Sequence, residues 1–125
     1  MRILLVEDNL DAASTLALAL KGKGHIVDTV VNGYAALDLA RRLLPDLVLL
    51  DVGLPGMPGF DVCRHLRQIP ELSRAGIYFV TAYSDEATRT RAAASGCDGY
   101  YVKPLAKAQL EAILAERHSA LRYSG

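Results

Sequence analysis

Short runs of β-branched and leucine side chains alternate along this chain with longer stretches whose apolar residues recur at helical spacing. That alternation, repeated five times, is the pattern of parallel βαβ units. The predicted strands are residues 2–6, 26–31, 46–51, 76–81 and 99–103. A parallel strand covered by helices on both faces reads as a continuous apolar run. Residues 3–6 and 47–50 do so and belong in the middle of the sheet, whereas 26–31 contains Asp28 and Thr29 and reads as an edge.

The first predicted helix, 10–23, sets Leu10, Ala13, Ala17 and Leu20 on one stripe, with Gly22 and Gly24 to end it. The second, 34–44, is stopped by Pro45. The third begins at Pro58, a residue suited to a first turn, brings Phe60, Cys63 and Leu66 or Arg67 onto neighbouring turns, and ends before Pro70. The fourth, 85–95, takes Ser84 as its cap, carries Asp85 and Glu86 where the helix dipole favours acids, and has only alanines to bury. The fifth runs from 105 to 117 or beyond, with Leu110, Ile113, Leu114 and Leu121 as its apolar face. No repeat beyond this alternation and no linker interrupts residues 1–125, so one α/β domain is expected. Right-handed crossovers then give a doubly wound open sheet, whose common five-stranded order is 2-1-3-4-5.

Composition narrows the function. Lys and Arg total 14 against 14 Asp and Glu, which leaves no basic footprint for a nucleic acid or an anionic membrane. The 125 residues suffice for one sizeable core. Cys63 and Cys97 form no CxxC and have no nearby histidine pair, so they read as reduced, largely buried thiols of a cytoplasmic protein. The first apolar run ends at Glu7-Asp8, too soon for a signal peptide or a membrane span. Met1-Arg2-Ile3 suits a natural N-terminus, and the end at residues 122–125 permits continuation into a further module. His25, His65 and His118 read as surface or loop residues without a chemical role.

Ligands of open parallel sheets bind outside the carboxyl ends of the strands, where strand order reverses. Strand one runs into Glu7-Asp8, strand three ends at Asp51, strand four at Thr81, and strand five at Lys103 before Pro104. Two carboxylates ~4 Å apart repel by about 4 kcal/mol at an effective dielectric near 20. Lys103 supplies one compensating charge, and the rest suits a hard divalent cation, Mg²⁺ foremost, with Mn²⁺ as a substitute. No His or Cys adjoins these acids in sequence, which argues against zinc or iron. A carboxylate beside Mg²⁺, a lysine and a hydroxyl are also the equipment of phosphoryl transfer, with Asp51 as nucleophile.

These residues resemble the receiver domain of two-component response regulators over essentially the whole chain. The motifs are the acidic pair within Leu4-Leu5-Val6-Glu7-Asp8-Asn9, the segment from Leu49-Leu50-Asp51 through Val52-Gly53-Leu54-Pro55-Gly56-Met57-Pro58-Gly59, then Val80-Thr81-Ala82 and Tyr100-Tyr101-Val102-Lys103-Pro104. Their order and separations make the match specific. The resemblance implies a flavodoxin-like three-layer fold and a phosphorylation switch in which Asp51 accepts a phosphoryl group from a histidine kinase or phosphotransfer protein. It implies Asp8 as a direct Mg²⁺ ligand, Glu7 as a ligand through water, Asp51 and the Gly53 carbonyl as further ligands, and Lys103 as the partner of the phosphate. Thr81 and Tyr100 match the switch pair, and Lys103-Pro104 a peptide bond usually cis in the family. A partner or attached output domain would read the surface of the fourth helix, fifth strand and fifth helix, through which a homodimer can also form. Pro58, where acids or amides are common, and Glu7, in place of the frequent Asp, depart from the pattern without touching transfer. Gly53 and Tyr83 fall at variable positions that influence phosphoryl lifetime in the family.

Three other readings compete. A turnover phosphohydrolase with an aspartyl nucleophile typically has a second acid two residues on and a cap, but position 53 is Gly and the chain has no room for a cap. The expectation is therefore a protein that catalyses only its own single-turnover modification. A constitutive interaction module needs no such intact set as Glu7, Asp8, Asp51, Thr81 and Lys103. A flavin carrier would not place Glu7-Asp8-Asn9 where phosphate must bind. Taken singly, each acid reads as a turn or cap, Lys103 as a solvated lysine and Tyr100 as an aromatic packed on the sheet edge. The glycine-rich segment after strand three lacks P-loop spacing and reads as turn chemistry.

Overall fold

The computed structural model describes residues 1–123; Ser124 and Gly125, the last part of the segment expected to continue, lie outside the described residues. Strands β1 (Arg2–Val6), β2 (Ile26–Val30), β3 (Leu47–Leu50), β4 (Gly76–Thr81) and β5 (Gly99–Val102) form one sheet in the order β2-β1-β3-β4-β5. All four pairings are parallel. Between them run α1 (Leu10–Gly22), α2 (Gly33–Leu43), α3 (Gly59–Gln68), α4 (Glu86–Ala94) and α5 (Lys107–Tyr123), with a 3₁₀ turn at Pro70–Leu72. The order reverses at β1, between β2 and β3, as a doubly wound flavodoxin-like sheet requires.

The period-2 alternation of the strands divides the core into two layers. Ile3, Leu5, Leu47, Leu49, Tyr78 and Val80 face α1 and α5, meeting Ala17, Leu20, Leu110, Ile113 and Leu114. Leu4, Val6, Val48, Leu50, Ile77 and Phe79 face α2, α3 and α4. Strands β1, β3 and β4 are buried almost throughout, and β2 is the half-exposed edge that its Asp28 and Thr29 predict. Burial and the neighbouring Glu116 carboxylate push the Tyr78 phenol well above its ordinary pKa.

Several expectations are corrected. Leu10, the first residue of α1, does not share the buried stripe of Ala13, Ala17 and Leu20; it is 66% exposed, with no preceding helical turn beside it. The cap of α4 is Asp85 rather than Ser84: its carboxylate accepts from the Thr88 amide at 3.0 Å and from the Thr88 hydroxyl. Pro58 is extended, with ψ 147°, and occupies the cap position of α3 instead of its first turn. Helix α5 starts at Lys107, where the Gln109 side chain accepts from the Ala106 amide. Leu121 is 38% exposed, beyond the buried face of Leu110, Ile113 and Leu114. Cys63 is buried but Cys97 only half-buried; both are free.

Candidate functional site

The parallel sheet delivers its strand ends to one rim, and the sequence just past each end decides what stands there. Glu7 follows β1, its amide held by the Val30 carbonyl at 3.0 Å, so a charged residue is fixed in a position only 8% exposed. Asp51 follows β3 in the same way, its amide donating to the Val6 carbonyl at 3.1 Å, and is 9% exposed. Asp8 stands exposed on the loop into α1. Carboxylate oxygens of Glu7, Asp8 and Asp51 all lie within 4.8 Å of one another.

Lys103 answers two of these charges. Its amide is fixed to the Thr81 carbonyl at 2.8 Å, and its ammonium donates to Asp51 Oδ2 at 2.9 Å and to Glu7 Oε1. The Lys103–Pro104 bond is cis. Asp51 Oδ1 accepts from the Gly53 amide at 3.3 Å. Burial pushes the Asp51 carboxyl up, but hydrogen bonds from Lys103 and Thr81 outweigh it and hold the group below its ordinary value. For Glu7 burial wins over the Lys103 bond, and the carboxyl is raised. Burial pulls the Lys103 ammonium down, yet its two acids more than reverse this and raise it. The site is therefore anionic, with one lysine against three acids.

Thr81 is fully buried at the end of β4, its hydroxyl accepting from the Tyr83 amide at 3.4 Å. On the neighbouring strand Tyr100 is half-buried, its ring 6.2 Å from Phe79 and under the Arg89 guanidinium at 4.9 Å. Its hydroxyl donates to the Tyr83 carbonyl at 2.6 Å. Thr81 and Tyr100 thus meet through one residue, Tyr83.

Three constraints were not read from sequence. Gly59 opens α3 so close to β3 that a Cβ there would lie 2.2 Å from the Asp51 carbonyl oxygen. Its signal was available as one glycine among several in the loop, but nothing distinguished it from the turn glycines. Asn9 caps α1 through the Ala12 amide at 3.1 Å, and its own amide donates to Glu7 Oε2 at 3.3 Å. The Tyr83 ring lies over Gly53, 3.4 Å from where a Cβ would stand.

Residues 3–115 match the response regulator receiver domain family. The chain belongs to that family. This receiver domain is 40% identical over 111 residues to the phosphate regulon transcriptional regulatory protein PhoB of Rhizobium meliloti (strain 1021), covering 89% of this chain and 49% of that protein. It is 40% identical over 116 residues to the DNA-binding response regulator MtrA of Mycobacterium tuberculosis (strain ATCC 25618 / H37Rv), covering 93% and 50%. The chain thus spans about half the length of these curated relatives. Among solved structures, the receiver domain of the sensor histidine kinase PA1611 from Pseudomonas aeruginosa PAO1, with a magnesium ion coordinated in its active site cleft, superposes with a TM-score of 0.87. Identity is 30%, covering 94% of this chain and 97% of that one. The signal receiver domain of a signal transduction histidine kinase from Syntrophus aciditrophicus gives a TM-score of 0.89 at 30% identity, covering 98% and 92%. This receiver domain is therefore a module of two-component signalling. Among the described residues no helix is long and apolar enough to cross a membrane.

The donor set also fits a metal. Three carboxylates with converging oxygens and no nitrogen or sulfur ligand among them suit a hard cation such as Mg²⁺.

Proposed function

We propose that this receiver domain is a phosphorylation-controlled switch that accepts a phosphoryl group on Asp51. The observation that carries this reading is the Asp51 carboxylate, almost buried yet kept ionised by Lys103 at 2.9 Å, in a cluster of three acids. An ionised carboxylate is the nucleophilic form. In the transfer, the P–N bond of a phosphohistidine breaks as a P–O bond to an Asp51 carboxylate oxygen forms, and the imidazole leaves with the electron pair. A histidine kinase or histidine phosphotransfer protein is the donor.

Asp8, Asp51, the Gly53 carbonyl and, through water, Glu7 would hold Mg²⁺, for which Mn²⁺ can substitute. Bound there, the ion would offset the charge of the acids and of the incoming phosphoryl oxygens. Lys103, freed from one carboxylate, pairs with the phosphoryl group, and the Thr81 hydroxyl donates to it. Movement of Thr81 pulls on the Tyr83 segment, to which Tyr100 is already bonded, and so changes the surface of α4, β5 and α5. A downstream effector or attached domain reads that surface. The chain catalyses only its own modification and turns over no external substrate.

The test is intact-mass measurement after incubation with acetyl phosphate and Mg²⁺. One phosphoryl adduct is expected, absent from Asp51→Asn and abolished by chelation. No adduct on the parent, or an adduct retained by Asp51→Asn, would overturn the assignment.

A further inference from the structure

Helices α1 and α5 share one face of the sheet, yet between them runs an open groove of about 860 Å³. From α1 it is lined by the small side chains of Ala12 and Ala19 around Leu16; the other bank is Leu105, just ahead of α5, and Leu110, and Val80 of β4 also lines it. That volume is in the range that holds a small organic ligand, about 300–1,000 Å³, and the lining is mostly apolar, as such sites are.

The charged groups along the groove are not equivalent. At its inner end Glu7 and Asp51 share the single ammonium of Lys103, so that end stays anionic and repels an anionic head. Asp11 lies in the first turn of α1, where the helix N-terminus favours it. Towards the outer side, Lys23 from the end of α1 and Lys107 from the start of α5 share one carboxylate, Glu111, at 3.9 and 4.0 Å. Two ammonium groups, one from each bank, against one acid leave a positive charge at this side of the trough alone, opposite its anionic end.

We propose that this groove binds a small amphipathic carboxylate, its aliphatic body between α1 and α5 and its head on Lys23 and Lys107. The apolar lining selects the body and the lysine pair selects the sign of the head. Binding requires no modification of Asp51, so the proposal stands or falls independently of the phosphoacceptor reading.

The experiment is an amide chemical-shift titration of the ¹⁵N-labelled chain with decanoate, decanol and decyltrimethylammonium, each below its aggregation limit. Decanoate is expected to give saturable shifts confined to α1 and residues 105–110, binding about fivefold tighter than decanol, the worth of an exposed ion pair. The double variant Lys23→Gln, Lys107→Gln is expected to lose that preference and keep decanol binding. Ala19→Leu, at an exposed position, and Ala12→Phe fill the trough and are expected to abolish binding while the spectrum stays dispersed; the first keeps the test available if the second disturbs α1. Shifts that never saturate, equal binding of the ammonium compound, or unchanged decanoate binding in both filled variants would overturn the proposal. So would shifts at these amides with a histidine phosphotransfer protein and none with decanoate, which would make the groove a protein-docking surface.

Discussion

Helix α3 buries Gly59, Phe60, Val62, Cys63 and Leu66, whereas α4, on the same face of the sheet, buries Ala92 alone. The first is fastened to what it supports. Gly59 lets its start press on the Asp51 backbone, and from its far end the Arg67 guanidinium holds the Ala75 carbonyl at 2.6 Å, the Gly96 carbonyl at 2.8 Å and the Asp98 carboxylate at 2.9 Å. The second is held at its flanks, by Arg89 over Tyr100 and Arg91 over Phe60, at 4.9 and 4.5 Å. Cation–π contacts of this exposed kind are worth about 0.5–1 kcal/mol each. The acceptor thus rests on a packed element, while the neighbour that must respond is attached by contacts easily exchanged.

The comparison is broken most severely at Phe60. Phe60→Ala removes a ring that packs on Phe79 and beneath Arg91, and is expected to cost about 3–5 kcal/mol in urea denaturation. Gly59→Ala is next: with backbone rather than a flexible side chain in the way, overpacking should cost about 1–3 kcal/mol and shift the Asp51 amide resonance. On the other side of the comparison, Arg89→Ala should cost no more than about 1 kcal/mol. It should nevertheless speed amide exchange in α4 while leaving α3 unchanged; a global loss of protection would contradict the difference drawn between the two helices.

The smallest effect concerns the acids at the rim. The Glu7 carboxyl is raised by burial, so charging it costs the folded state. That cost is absent below the ordinary carboxyl value, about pH 4, and fully present above the raised one. In chelator, Glu7→Gln is expected to raise the denaturation midpoint at neutral pH and to give no gain below about pH 4. A gain that grew on acidification would show that Lys103, not desolvation, governs Glu7.

Much of this was legible in the sequence. Ile3-Leu4-Leu5-Val6 and Leu47-Val48-Leu49-Leu50 are apolar because both of their faces are covered, and that pattern places them in the middle of the sheet before any contact is known. Strand ends then place Glu7, Asp51, Thr81 and Lys103 on one rim by topology alone. Less legible were properties set by distance across the fold. Ser84 and Asp85 are equally good caps on paper, and the choice fell to the residue whose carboxylate reaches Thr88. Leu10 fits a helical stripe by spacing, but spacing does not say which end of the stripe the rest of the fold leaves uncovered. The close approach of Gly59 to Asp51 and the width between α1 and α5 depend on packing between segments far apart in the chain.

The tyrosines have a further use. The chain has six Tyr and no Trp, so its ultraviolet emission comes from phenols alone. Tyr78 is sealed in the core, where burial and the Glu116 carboxylate push its ionisation up. Tyr83 is exposed beside Gly53, and Tyr100 is half-exposed with its hydroxyl on the Tyr83 carbonyl. Any change in the hydrogen bond between these two residues alters the emission of a fluorophore already in place. The chain therefore carries its own optical label two residues from Thr81 and needs no dye to be followed in real time.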